Sequence, residues 1–345
     1  MPTAALLSFR LGGSDGVSIE AAKWARALGL LGWKVTTVAG SGPVDALLPG
    51  LAIDAVEAPT ADELDAALAS ADLVVIENLC SLPLNPAAAA VAATVCAGRP
   101  ALLHHHDLPW QRPHLAHLPP PPDDHAWSHV TINELSRREL AQHGLTATRL
   151  YNSFEADPVP GDREATRQAL GLTPGTRLLL QPTRALARKN VGAALSLASL
   201  VGGTYWLLGP AEDGYGPELE RLVAGASCPV LLESPGAPIS VADAYAACDA
   251  VLLPSTWEGF GNPAVESATH RRPLAIGPYP VAAELAAFGF HWFRGDDPAP
   301  LADWLEHPDP ELLEHNHTVA ATHLNLADLP ARLEQILHAM PTSFS

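Results

Sequence analysis

What most constrains this chain is an alternation of short, strongly apolar runs with stretches of helical character. In the first half the runs are Ala4 to Phe9, Val35 to Ala39, Leu73 to Ile76, Ala101 to His104 and Val130 to Ile132. Helical stretches fall at Ser18 to Leu31, Ala61 to Ala69, Pro86 to Ala97 and Glu134 to His143. Strands apolar on both faces must be covered on both, which is the pattern of a parallel sheet flanked by helices. A polar, proline-containing segment, Glu155 to Asp162, interrupts the pattern. It then restarts with Leu178 to Gln181, Tyr205 to Leu208, Val230 to Leu232, Ala250 to Leu253, Leu274 to Ile276 and His291 to Phe293. The 345 residues exceed one ordinary core. The expected architecture is therefore α/β, with two Rossmann-like domains whose parallel sheets face across a cleft. The boundaries are placed at 1–154 and 155–324, with a last helix, about Pro330 to Met340 within 325–345, able to pack back onto the first domain.

Twenty Lys and Arg against 38 Asp and Glu give a formal net charge of -18, which disfavours nucleic acid and anionic membrane surfaces as partners. Any anionic ligand must then meet a local basic cluster. Cys80, Cys96, Cys228 and Cys248 lack a C-x-x-C spacing and sit among small or apolar neighbours, as buried thiols of a reducing compartment do. No secretory signal is legible, and the alanine-rich stretch Asn85 to Gly98 falls short of the ~20 residues of a membrane span. The expectation is a cytoplasmic protein, with a peripheral contact to the inner membrane face left open. Leu108 to Ala126, with four consecutive prolines from Pro119 to Pro122, is a loop.

The most informative segment runs from Val251 to Glu266. A buried strand ends at Leu253, a loop with Gly259 and Gly261 follows, and Asn262 with Pro263 predicts the N-cap and first turn of a helix. Glycines let backbone approach a ligand, and a loop at the carboxyl end of a parallel strand is where such sheets bind one. Glu258 and Glu266, separated by seven residues, offer carboxylates to neighbouring sugar hydroxyls. They also fit a solvated loop glutamate plus a carboxylate favoured by the helix dipole.

Glu258 and Glu266, with Gly-Phe-Gly-Asn-Pro between them, resemble the E-x7-E motif of the large group 1 retaining glycosyltransferases, which have the two-domain glycosyltransferase B fold. Pro182-Thr183-Arg184-Ala185-Leu186-Ala187-Arg188-Lys189-Asn190 resembles that family's phosphate-binding Arg and Lys, five residues apart. Gly12-Gly13-Ser14-Asp15-Gly16 resembles its first glycine loop, and its spacing is not the G-x-G-x-x-G of a nicotinamide site. Gly209 to Asp213 matches the second glycine loop, and Ser234 to Pro238 the segment that reads the base through backbone. Both also fit simple turns. The family carries a cleft histidine near His104-His105-His106-Asp107. The chain departs from the family in its short length, in Asn190 where glycine is frequent, and in the triple histidine.

The resemblance implies a donor held mainly by the second domain and an acceptor held mainly by the first. Arg184 and Lys189 would stabilise the departing diphosphate, Glu258 would hold the hexose and Glu266 the ribose, with His106 completing the catalytic set. Gly12, Gly13, Gly209, Phe260, Gly261, Asn262 and Pro263 would contact the donor, a nucleoside-diphosphate sugar such as UDP-glucose or GDP-mannose. His105, Asp107 and Trp110 would meet a hydroxyl-bearing acceptor of undetermined class. No cofactor is expected, the nucleotide sugar being a substrate, and no metal, because adjacent strand residues alternate faces and cannot all reach one ion unless the strand ends among them. The rival readings are a nucleotide-sugar epimerase, a phosphorylase, a binding protein without turnover, and a metal hydrolase built on His104 to Asp107. A phosphorylase would need a pyridoxal phosphate lysine, and Lys23, Lys34 and Lys189 are the only lysines.

Overall fold

The computed structural model describes residues 1–13, 15–232 and 239–341. They form two compact units, 1–153 with 326–341, and 154–325.

The first unit contains β1 (Thr3–Arg10), α1 (Gly16–Leu30), β2 (Lys34–Ser41), β3 (Ala46–Leu47), α2 (Ala61–Leu68), β4 (Leu73–Glu77), α3 (Pro86–Cys96), β5 (Ala101–His105), β6 (Trp127–Thr131), α4 (Glu134–Gln142) and β7 (Ala147–Arg149). The strands lie in the order β3-β2-β1-β4-β5-β6-β7, and every pairing is parallel. Alternate residues of β1 serve opposite faces: Ala4 and Leu6 join one core with Trp24 and Leu28 of α1, while Ala5 and Leu7 join another with Leu64 and Leu68 of α2. That is why the run is apolar throughout rather than alternating. Helix α13 (Leu329–His338) also belongs to this unit, and its Leu329, Leu333, Ile336 and Leu337 complete the core beneath α1.

The second unit contains α5 (Arg163–Ala169), β8 (Leu178–Gln181), α6 (Val191–Leu200), β9 (Thr204–Leu207), α7 (Gly216–Ala224), β10 (Val230–Leu231), α8 (Val241–Ala247) and β11 (Ala250–Leu253). It continues with α9 (Asn262–Thr269), β12 (Leu274–Ile276), α10 (Pro280–Ala286), β13 (Phe293–Arg294), α11 (Pro298–Glu306) and α12 (Pro310–His323). Its sheet order is β10-β9-β8-β11-β12-β13, again parallel throughout. Both orders reverse direction at the first strand of the sheet, the doubly wound arrangement that leaves a crevice at the carboxyl ends of the two central strands.

Two details differ from the expectation. Helix α9 takes Gly261, not Asn262, as its N-cap, in the left-handed region at φ 90, so Asn262 is the first helical residue. The two-residue strand β3 and the three-residue strand β7 extend the first sheet at both edges without an apolar run to announce them. All four cysteines are free thiols, three buried and Cys228 half-buried. Among the described residues, no helix is long and apolar enough to cross a membrane.

Candidate active site

In the second unit the central strands are β8 and β11, and the loops leaving their carboxyl ends, residues 182–190 and 254–261, are those carrying the basic and acidic motifs. The first loop is pinned from beneath: buried Tyr205 donates its hydroxyl to Gln181 Oε1 (2.6 Å), and Gln181 Nε2 donates to the Lys189 carbonyl (2.9 Å). The amide of Thr256 donates to the Arg188 carbonyl (2.9 Å), which ties the two loops together.

Glu258 lies at the centre, 5% exposed. Lys189 Nζ donates to both of its oxygens (2.5 and 2.7 Å), Arg188 Nη1 to Oε2 (3.0 Å), and Ser255 Oγ to Oε1 (2.6 Å). Burial alone would raise the Glu258 carboxyl, but the charges of Lys189 and Arg188 outweigh it and hold its pKa below the usual value. Burial lowers the pKa of Lys189, and repulsion from Arg188 and Arg184 acts in the same direction against the pull of Glu258. Arg188 and Lys189, adjacent in sequence, thus converge on one carboxylate.

The other residues expected to meet the donor have distinct partners. Arg184 pairs with Glu212, on the loop after β9, and that loop is zipped to the arginine's own by Ala185 N to Pro210 O (2.8 Å) and Glu212 N to Ala185 O (3.1 Å). Gly209 permits this approach, since a Cβ there would stand 2.8 Å from Arg184 Cα. Glu266, half-buried in α9 beside Asn262 and Pro263, accepts from Tyr245 Oη at 2.7 Å. Phe260 buries its ring against Phe154 and turns its carbonyl to Tyr279 Oη (3.3 Å). Ser234 to Pro238 lies outside the described residues.

In the first unit the reversal lies between β1 and β4. Gly12 takes φ 74, where a Cβ would stand 2.6 Å from Pro43 Cγ. Gly13 follows, Ser14 lies outside the described residues, and Asp15 caps α1 by accepting from Ser18 N (3.2 Å). The histidines divide between faces. His104 Nδ1 and His106 Nε2 both bond Glu77 Oε2 (2.9 and 2.8 Å), and Trp24 stacks on His104 with ring centroids 4.0 Å apart. His105 faces the other way, toward Ser81 Oγ (2.6 Å) and His129 Nδ1 (2.8 Å). Asp107 pairs with Arg112 (3.0 Å), and Trp110 is anchored by Glu139 (2.9 Å) with its ring covered by His143 at 4.0 Å.

Glu77, His104 and His106 offer ligand atoms within 4.8 Å of one another, and both histidines are bonded to Glu77 Oε2. Burial opposes the charge on Glu77, but the charge and hydrogen bond of His104 and the bond from His106 hold its pKa down at about 2. Burial likewise opposes charge on His106, and Glu77 overcomes it, raising that imidazole above its ordinary 6.5. The two groups act in opposite pH windows. Stability from ionised Glu77 is complete above its ordinary 4.5 and is lost as pH falls through about 2. Stability from charged His106 is complete below 6.5 and is lost as pH rises through its raised value. Thermal melts between about pH 5 and 9 should therefore show an alkaline loss of stability in the wild type that is absent in Glu77→Gln.

Sequence reasoning passed over Glu77, Ser255 and the partners Glu212 and Tyr245. Only Glu77 left a signal: a lone carboxylate closing the otherwise apolar Leu-Val-Val-Ile of β4.

No family model matches the chain. It is 26% identical to the mannosylglucosylglycerate synthase of Thermotoga maritima, across 96% of this chain and 98% of that protein. Its backbone is similar to HepE from Anabaena, solved in complex with UDP-glucose, with a TM-score of 0.75, 18% identity and coverage of 98% and 100%. It is also similar to the sucrose-phosphate synthase of Thermosynechococcus elongatus, with a TM-score of 0.74, 14% identity and 98% coverage of each chain. With the strand order of both sheets and the two loop motifs in place, the chain is a glycosyltransferase of the glycosyltransferase B fold, and it fits the large group 1 family.

Proposed function

We propose that the chain transfers a hexose from a nucleoside-diphosphate sugar to a hydroxyl acceptor with retention of anomeric configuration, and that the second unit binds the donor. The observation that carries this reading is the cluster of Arg184, Arg188 and Lys189 with Glu258 at the carboxyl ends of β8 and β11, in a chain otherwise strongly acidic. Three cations in so small a volume suit a diphosphate, and a carboxylate among them suits the hydroxyls of the sugar attached to it.

In this mechanism the bond between the anomeric carbon and the diphosphate oxygen breaks, leaving negative charge on the nucleoside diphosphate. Lys189 and Arg184 stabilise that charge from positions fixed before the reaction, so no solvent must reorganise. An ammonium has three N–H groups, and Glu258 takes two of those on Lys189. The acceptor oxygen attacks from the face the leaving group departs, and its proton passes to a phosphate oxygen of the donor. Glu266 holds the ribose, and His106, whose pKa is raised by Glu77, completes the catalytic set. None of these steps calls on a metal.

The names of the relatives bring forward two donors. Mannosylglucosylglycerate synthase points to a mannosyl donor such as GDP-mannose, and the HepE complex to UDP-glucose. Melting the protein with each supplies the test. A donor at about 100 times its dissociation constant stabilises by about 2.7 kcal/mol. One of the two should raise the melting temperature of the wild type and fail to raise that of Arg184→Ala. No shift with either, or an equal shift in the variant, would remove the donor assignment.

A further inference from the structure

We infer that Tyr245 is a positioning residue for the donor's ribose, acting through Glu266. The inference rests on the proposed role of Glu266 and extends it to a residue on a different helix.

Tyr245 is fully buried in α8, 21 residues before Glu266. A buried phenol must place its O–H somewhere, and here it donates to Glu266 Oε2 at 2.7 Å. The tyrosine itself is held from two further sides. His270, one turn beyond Glu266, stacks on its ring at 4.6 Å with only 5° between the planes. Arg272 Nε donates to its backbone carbonyl at 2.6 Å. The hydroxyl is therefore a fixed point rather than a mobile contact.

Fixing one oxygen matters because a ribose presents two neighbouring hydroxyls. A carboxylate that receives both must hold its plane, and a glutamate side chain has three rotatable bonds by which to lose it. An O–H anchored on one carboxylate oxygen sets that plane before the ligand arrives, which lowers the entropy cost of binding. A phenylalanine would fill the same space and keep the His270 stack, so packing alone does not require a tyrosine. The hydroxyl is explained by Glu266.

The test compares wild type, Tyr245→Phe, Glu266→Gln and the double variant by calorimetry. The probe is UDP or GDP, whichever the wild type binds more tightly, and the 2′,3′-dideoxyribose form of the same nucleotide. Tyr245→Phe should weaken the ribonucleotide about tenfold, the scale of one hydrogen bond to a charged group, and leave the dideoxy form within about twofold. The double variant should match Glu266→Gln, because the tyrosine acts through that carboxylate. Equal weakening of both nucleotides by Tyr245→Phe would mean a merely structural role and overturn the inference. If Glu266→Gln discriminates between the nucleotides and Tyr245→Phe does not, the inference falls while the role of Glu266 stands. If Glu266→Gln fails to discriminate, the role of Glu266 falls and the inference with it. Should Tyr245→Phe not fold, Glu266→Gln against the double variant with His270→Ala gives the same reading, since loosening the ring should add nothing once Glu266 is changed.

Discussion

Replacing Lys189 with alanine is expected to lower the turnover of sugar transfer by about two to three orders of magnitude, the cost of removing one preorganised charge from a developing anion. The same change acts on the fold, because Lys189 is a buried cation with both oxygens of Glu258 as partners. Stripping a buried charge of its partner costs about 3–5 kcal/mol. Glu258 keeps Arg188 and Ser255, so the loss should fall below that range. Steady-state rates with the better of the two donors, beside urea unfolding of the same preparation, separate the two effects. A folded Lys189→Ala variant that turned over at the wild-type rate would take Lys189 out of the reaction.

The second large effect is expected at Gly261, where alanine should destabilise the protein by about 2–4 kcal/mol. The residue stands at φ 90, a region side chains rarely enter, and an added Cβ would lie 2.1 Å from Tyr279 Oη and 2.9 Å from its Cζ. Tyr279 is itself fully buried and cannot step aside. Since Gly261 caps the helix that carries Glu266, donor affinity should fall with stability. Tyr279→Phe, which deletes the nearest clashing atom, should recover part of the loss in the double variant. The same chemical change at Gly29, inside α1 with nothing within 4 Å of its Cβ, should instead be neutral or stabilising by about 0.4–1 kcal/mol. Urea midpoints of the variants check both signs.

The fold was legible because parallel strands buried on both faces leave continuous apolar runs, and β4, β8 and β11 are buried at every position. The alternation of neighbouring strand residues likewise anticipated that His104, His105 and His106 could not share one target. Within the candidate site, sequence reasoning picked out residues by local spacing, Arg184 with Lys189 and Glu258 with Glu266. It did not reach their partners. Glu212 is 28 residues from Arg184, Tyr245 is 21 from Glu266, and Glu77 is 27 from His104. These pairs are set by which strands become neighbours, and a parallel sheet places strands side by side without recording their order in any local pattern. The edge strands were invisible for a simpler reason: two or three half-exposed residues carry no periodicity.

The chain leaves the first unit after Ser153 and re-enters it at Leu326, so the second unit is an insertion with adjoining ends: Phe154 N donates to Leu324 O at 2.7 Å, and Phe154 bridges to Asn325. Order of synthesis and order of completion therefore run opposite ways. The part of the first unit translated first must wait, with the surface of Trp24 and Leu28 uncovered, until Leu333 and Ile336 emerge after the whole insertion. The inserted half has its whole sequence in hand before then. Translation halted between Asn325 and Leu326 would leave the second unit complete and the first unfinished.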